Sequence, residues 1–272
     1  MNDPSSYSAP TFLTLSTDSV ARQSLIRLLG EAVAARMAPV PFQGFVSGRA
    51  LHRLRADVAR IRNRLLRRCD VGQAWLVCTL AGVTPAQCPP VCVLRRRFRH
   101  RTLFRTAIAS VTTALRSLNS RRVFVVAPYT PRLSHLLVHY LEMRGFRVTR
   151  CVSLGLGSES SIQRIDSDEI VRLCTESVPP RTEAVFLSCT ALDCLGVVEQ
   201  IERNLGIPVV TSVQAVAWES SWLCGVPLRL RPGELFDMPY PVYPESHLES
   251  ERVARRVSAA LRLSDMNPCN DS

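Results

Sequence analysis

Cys78-Thr79 closes the apolar run Trp75-Leu76-Val77, and Cys189-Thr190 follows Val185-Phe186-Leu187-Ser188. A thiol is a general acid or base and, once ionised, a nucleophile. Two thiols on opposite walls of one cleft can do what a single thiol cannot. One removes a proton from a carbon next to a carboxylate while the other returns a proton to the opposite face, which is cofactor-independent racemisation or isomerisation. Alternatively one thiolate adds to a carbon–carbon double bond, the bond rotates while covalently held, and the thiol leaves. Either route builds negative charge on a substrate carboxylate, which Thr79, Thr190, Tyr129 and Thr130 can meet with hydroxyl or backbone donors. A helix N-terminus just after each cysteine is expected to favour the thiolate over the thiol, whose reference pKa is about 8.5.

A lone strand-end cysteine reads as a packing residue, because cysteine is among the most buried residue types. Spacing lifts these two out of that reading. Leu15-Ser16-Thr17-Asp18 parallels Val126-Ala127-Pro128-Tyr129, and Trp75 to Thr79 parallels Phe186 to Thr190. Asp18 and Tyr129 lie 111 positions apart, and so do Cys78 and Cys189. One offset shared by two landmarks is what an internal repeat gives, with two similar lobes turning their strand ends to a common cleft. Ligands of open α/β sheets bind at those carboxyl ends. The other cysteines, Cys69, Cys88, Cys92, Cys151, Cys174, Cys194, Cys224 and Cys269, keep the packing reading. Cys88, Cys92 and His100 make a poor zinc set, with two prolines between the cysteines and no fourth ligand. His135 and His139, one helical turn apart without a glutamate motif, read as a helix face.

Positioning these groups requires strands and helices in alternation. Strand-type runs fall at Phe12–Leu15, Trp75–Val77, Val123–Val126, Arg147–Cys151, Val185–Leu187 and Pro208–Thr211, and helical periodicity at Leu51–Leu66 and Leu133–Met143. The pattern predicts an α/β protein of two pseudo-symmetric lobes, each a parallel sheet flanked by helices, with the active site between them. The expected divisions are a disordered stretch at 1–11, lobes at 12–119 and 120–226, and a partly helical extension at 227–272 that packs on the first lobe.

Composition narrows the chemistry. All 34 basic residues are arginine, which excludes Schiff-base and pyridoxal-phosphate mechanisms and the phosphate loop ending in Gly-Lys-Ser/Thr. The net charge of +11 raises the question of nucleic acid. The densest run, Arg95-Arg96-Arg97-Phe98-Arg99-His100-Arg101, offers Phe98 and Phe104 as stacking groups, but the remaining arginines are scattered and no reading motif accompanies them. The uncharged stretch Val71–Leu94 contains Pro85, Pro89 and Pro90, which argues against a membrane span. The opening Met1-Asn2-Asp3-Pro4 lacks the basic, apolar character of a signal peptide, so the expected compartment is the cytoplasm, with free thiols. A homo-oligomer is compatible with all of this.

The sequence resembles the aspartate/glutamate racemase superfamily, specifically its branch of maleate cis-trans isomerases and arylmalonate decarboxylases. The resemblance is carried by Ala127-Pro128-Tyr129-Thr130, by Ala184 to Leu192, and by Gly206 to Ala215 with Trp218. In the first half, Leu13 to Asp18, Val40-Pro41-Phe42 and Cys78-Thr79, together with Leu154 to Gly157 ahead of Ile162, are most similar to the ectoine-utilisation member of that branch. The resemblance implies two facing cysteines, Cys78 and Cys189, and no cofactor or metal. It also implies a small carboxylate gripped by Tyr129, Thr79 and Thr190, with Asp18, Thr130, Ser212 and Gln214 as further cleft residues. The decarboxylases of the branch work with the second cysteine alone, so the presence of both points to an isomerase or racemase, with a place in ectoine breakdown as the expected context. A decarboxylase, or a silent relative that binds a small acid, is the alternative. Leu80 stands where the branch usually has a small hydroxyl, and Val213 where it has asparagine.

Overall fold

The computed structural model describes residues 10–42, 53–54, 57–58, 60, 73–83, 91–95 and 101–241. Nine strands among them make two sheets. β1 (Thr11–Leu15), β2 (Met37–Val40), β3 (Gln73–Val77), β4 (Val91–Arg95) and β5 (Arg101–Thr106) form the first, in the order β2-β1-β3-β5-β4. β6 (Arg122–Tyr129), β7 (Arg147–Leu156), β8 (Ala184–Leu187) and β9 (Val209–Thr211) form the second, in the order β7-β6-β8-β9. Without β4 the two orders correspond strand for strand. β1 and β6 begin at 11 and 122, and β3 and β8 at 73 and 184, the separation of 111 already seen between the Cys-Thr pairs.

All neighbours run parallel except β4, which pairs antiparallel with β5 and adds an edge that the repeat does not contain. This hairpin brackets the arginine run, and β2, β4 and β5 are the strands that periodicity does not reveal. β2 is an edge strand with only Val40 fully buried and Pro39 within it, so its apolar signal is thin. β5 carries charge into the interior at Arg105. Phe104 is buried in the core and unavailable for base stacking, which corrects the expectation for that residue.

Helices α1 (Ser19–Leu29), α2 (Thr79–Val83), α3 (Ala107–Ser117), α4 (Pro131–Met143), α5 (Glu159–Ile162), α6 (Ser167–Ser177), α7 (Val198–Leu205) and α8 (Ser212–Cys224) connect the strands. α1 buries Ala21, Leu25, Leu28 and Leu29 at helical spacing, with Asp18 accepting from the Ala21 N–H as its N-cap. α4 begins with Pro131 at its first turn and buries Leu133, Leu137, Tyr140 and Leu141. α8 opens with a capping box, Thr211 with Gln214, and stops at Gly225 in the left-handed conformation that glycine tolerates. Residues 53–54, 57–58 and 60, within the expected helix Leu51–Leu66, are helical, and Leu54 and Val58 are buried.

α3 and α8 hold the lobes together. Both are buried along almost every face, as befits helices packed on each other between two sheets. α8 follows the last strand of the second sheet yet also packs on α1 and β3 of the first. Gly82 in α2 permits close approach to the start of α3, since a Cβ there would stand 2.5 Å from Thr106 Oγ1. At the centre of this joint the Glu219 carboxylate accepts hydrogen bonds from Arg105 Nη1 (2.7 Å), Ser110 Oγ (2.6 Å), Trp75 Nε1 (3.0 Å) and Tyr240 Oη (3.4 Å).

Residues 227–241 run across both lobes. The Arg229 N–H donates to the Leu28 carbonyl (2.7 Å) at the end of α1, and the Trp218 indole donates to Met238 O (3.1 Å). The expected amphipathic stretch Leu248–Leu261 lies outside the described residues. No helix among the described residues is long and apolar enough to cross a membrane.

Candidate active site

Six strands of the repeat deliver a polar side chain at or just after their carboxyl ends, where a parallel sheet presents its ligand-binding loops. Asp18 follows β1, Cys78 follows β3, Tyr129 ends β6, Glu159 follows β7, Cys189 follows β8 and Ser212 follows β9. Hydrogen bonds stitch these ends across the lobes. Thr190 Oγ1 donates to Asp18 Oδ2 (2.7 Å), Thr79 Oγ1 donates to Ser212 Oγ (2.8 Å), and Thr17 Oγ1 donates to Glu159 Oε2. Cys78, Asp18, Tyr129, Cys189 and Thr190 are all buried.

The cysteines reach the site by different backbone routes. Cys78 sits between β3 and α2, in ordinary strand-to-helix geometry. Cys189 adopts φ of 102°, a conformation rare outside glycine, and is followed by a turn instead of the expected helix. Such a backbone costs on the order of 1–3 kcal/mol, and strained residues cluster at functional sites. Here the turn places the thiol beside Tyr129, whose hydroxyl also accepts from Ser188 Oγ (3.3 Å).

Electrostatics overturn one expectation from the sequence. The thiols are held protonated. Burial pushes Cys78 up to about 12, and the Glu159 and Asp18 carboxylates add to the rise against hydrogen bonds from the backbone at Ala81 and Leu80. Burial also pushes Cys189 up, followed by the charge of Asp18, while hydrogen bonds from the Ala191 backbone and Tyr129 pull the other way. A charge on Cys78 raises Cys189 further, so the two sulfurs share one electrostatic environment. Burial dominates the local donors because a thiolate removed from water loses more than two backbone N–H groups return. Alkylation of Cys78 and Cys189 by iodoacetamide, followed by peptide mass spectrometry, should therefore be slow at pH 7 and rise about tenfold per pH unit beyond pH 9. A rate already level below pH 8 would show resting thiolates instead.

Glu159 is the residue that sequence reading missed. It is 4% exposed, at the start of a four-residue helix after β7, and burial is the main cause that lifts its carboxyl to about 7, with the neighbouring Asp18 charge adding to the rise. Its signal was positional: Gly157-Ser158 link the carboxyl end of β7 to the helix that Glu159 opens. Burial raises Asp18 as well, although Ala21 and Thr190 both donate to it. Gln214 is framework: its side chain accepts from Thr211 N and donates to Pro232 O, which spends it on the backbone and removes it from the cleft set. Thr130 takes the N-cap position of α4 without a side-chain cap bond. Leu80 and Val213 are buried beside Thr79 and Ser212. Among the described residues no group of three or more histidine, cysteine and acidic side chains could hold a metal ion, and Cys78, Cys151, Cys174, Cys189, Cys194 and Cys224 are free thiols.

Fold and site together define a two-lobed α/β protein with a buried cysteine at an equivalent strand end in each of its pseudo-symmetric halves. The chain belongs to the arylmalonate decarboxylase family, whose sequence profile matches residues 94–234. It is similar to the arylmalonate decarboxylase of Bordetella bronchiseptica, 33% identical over 136 residues that span 48% of this chain and 57% of that protein. The chain thus spans about half the length of the curated relatives it matches. Solved structures match across both lobes. The maleate isomerase of Pseudomonas putida S16, in a variant solved with maleate, is 18% identical, with a TM-score of 0.72 over 85% of this chain and 98% of that one. The Nocardia farcinica maleate cis-trans isomerase, in a mutant carrying a covalently bound succinylcysteine intermediate, is 20% identical, with a TM-score of 0.70 over 84% of this chain and 97% of that one.

Proposed function

We propose that the protein is a cofactor-independent isomerase or racemase of a small carboxylate, with Cys78 and Cys189 as the reacting pair. The observation that carries this reading is that two buried thiols, one from each lobe, stand at equivalent strand ends and feel each other's charge. A single-thiol decarboxylase has no use for the first of them. Membership of a family whose relatives include an arylmalonate decarboxylase and maleate isomerases supports a small acid as substrate. That a maleate cis-trans isomerase of this fold has been solved with a covalently bound succinylcysteine supports cysteine as a group that attacks carbon.

In proton-transfer chemistry, the thiolate on one wall removes a proton from the carbon beside the carboxylate. The charge spreads into that carboxylate, and the thiol on the other wall reprotonates the opposite face. In addition chemistry, the thiolate bonds to one alkene carbon, the remaining single bond rotates, and expulsion of the thiolate restores the alkene in the other geometry. Tyr129, buried and held protonated, supplies a hydrogen-bond donor that stays neutral through either cycle. Thr130, whose hydroxyl is not spent on a helix cap, and the backbone N–H groups after each cysteine supply further donors to the substrate carboxylate.

The test is a substrate screen on purified protein after chelation and without added cofactor. Maleate, arylmalonates, amino acids and acids of ectoine breakdown would be followed by proton NMR in D2O for isomerisation, solvent exchange and loss of carbon dioxide. Turnover without decarboxylation is the expected result, together with protection of both thiols from alkylation by the substrate. Decarboxylation as the sole reaction would replace this reading with the one-thiol alternative.

A further inference from the structure

The pole of the second lobe that faces away from the cleft gathers arginines. There α3 and α4 end, and short turns lead into β6 and β7, whose first residues, Arg122 and Arg147, are paired in register. Three guanidinium groups meet at the turn Arg144-Gly145-Phe146. Arg116 Nη2 donates to the Arg144 carbonyl (3.3 Å), and its Cζ lies 5.7 Å from the centre of the Phe146 ring. Arg121 Nη1 lies beside Gly145, 3.9 Å from where a Cβ would stand there. Arg144 itself folds back along α4, with its Cζ 5.4 Å from the centre of the Tyr140 ring.

Arginines at the carboxyl ends of helices complement the carbonyl dipoles, which explains why they gather here but not how Arg144 is spent. Its Nε and Nη2 are shut off from water and meet no acceptor, and among the described residues no ion pair reaches it. The Glu183 carboxylate at this pole is already taken. One of its oxygens accepts from the N–H groups of Arg121 (2.6 Å) and Arg122 (2.8 Å), and the other pairs with Arg122 Nη2 (3.0 Å). Ser117 Oγ, in the last turn of α3, and His139 Nε2, in α4, are buried without partners as well. A buried charged donor left unmade is costly, and a bound ion is one of the ordinary answers to it.

Nε and Nη2 form one edge of the guanidinium and point the same way, the fork that grips two oxygens of a single phosphate or carboxylate. Guanidinium groups crowded at one turn favour the anion with more charge and more oxygens, which is the phosphate. We propose that this pole is a binding site for a phosphate group, free or carried as the monoester of a small molecule, held by the Arg144 fork with the Arg121 guanidinium at the same turn. The turn lies at the surface, with Glu142, Gly145 and Arg147 exposed, so the anion reaches the fork when the Arg144 side chain swings off the Tyr140 ring. The whole of α4 separates this site from the cleft. Thr130 caps the start of that helix and Arg144 its end, about 20 Å apart at the helical rise, so the site stands apart from the reacting groups.

The test is calorimetric titration of the full chain with inorganic phosphate and with adenosine 5′-monophosphate at constant ionic strength. Binding should saturate at millimolar concentration or below. Arg144→Lys, which keeps the charge and loses the fork, should weaken it at least about tenfold, whereas Arg36→Gln, at an exposed arginine of the first lobe, should change it less than about twofold. A monophosphate that binds more tightly than inorganic phosphate and loses as much in Arg144→Lys identifies a monoester as the ligand, and equal or weaker binding of the monophosphate identifies free phosphate. Phenylglyoxal labelling of the unsubstituted protein, mapped by peptide mass spectrometry, needs no variant to fold: phosphate should slow modification of Arg144 and leave Arg36 unchanged. No saturable binding of either probe, binding unchanged in Arg144→Lys, or an equal loss in Arg36→Gln would overturn the inference. So would labelling of Arg144 that phosphate does not slow.

Discussion

Cys189→Ala should abolish turnover, and Cys78→Ala should do the same, each with a loss of at least about 10²-fold, the usual scale for removing a positioned acid or base. Inversion or isomerisation needs a group on each face of the substrate, so neither thiol can stand in for the other. The folded state should survive both changes. Each side chain is small and sits at a strand end, so the cavity left is small and the loss of stability stays near about 1 kcal/mol. Steady-state rates on the substrate found by screening, paired with urea denaturation, separate the two effects. Activity retained in Cys78→Ala but lost in Cys189→Ala would identify a one-thiol enzyme. Solvent exchange gives a finer readout: a variant that keeps one thiol should still exchange the hydrogen of one enantiomer without inverting it.

Glu219→Ala should be strongly destabilising in the joint between lobes, at about 3–5 kcal/mol, because it removes one partner of a buried ion pair and the acceptor that several buried donors share. Arg105 loses the partner 2.7 Å away, and Trp75 Nε1 and Ser110 Oγ lose their acceptor together. The carboxylate is fully buried and the arginine side chain is 10% exposed, so little water is present to take over. Glu219→Gln should cost less, since the amide keeps an oxygen for the donors. Replacing both partners by apolar residues should recover part of the loss, as buried pairs often break even against well-packed hydrophobic ones. Urea midpoints of the four proteins check the series. A loss below about 1 kcal/mol for Glu219→Ala would mean that Arg105 finds another anion or reaches solvent.

Much of the frame was legible along the chain. The apolar runs of β1, β3, β6 and β8 are buried on both faces, as parallel strands under helices must be, so they read as continuous hydrophobic segments. Their shared offset of 111 exposed the repeat and singled out Cys78 and Cys189 from ten cysteines. β2 and β5 gave no such signal. β2 is half-buried, and β5 hides a charge whose partner, Glu219, lies 114 positions away.

Residue types and their spacing determined the α/β class, the two halves, the exclusion of lysine chemistry and the equivalent strand-end positions of Cys78 and Cys189, because these depend on local period and on repetition, which a linear chain records. The electrostatic state of the site was decided only by the tertiary structure. Asp18 looked like a cleft residue and proved to cap a helix while accepting from Thr190 of the other lobe. Gln214 looked like a ligand contact and proved to be spent on the backbone. Glu159 carried no motif, yet folding buries it where it and Asp18 raise Cys78 together. Desolvation and the Coulomb interaction depend on distance and burial after folding, and groups 141 residues apart, such as Asp18 and Glu159, leave no local trace of their encounter.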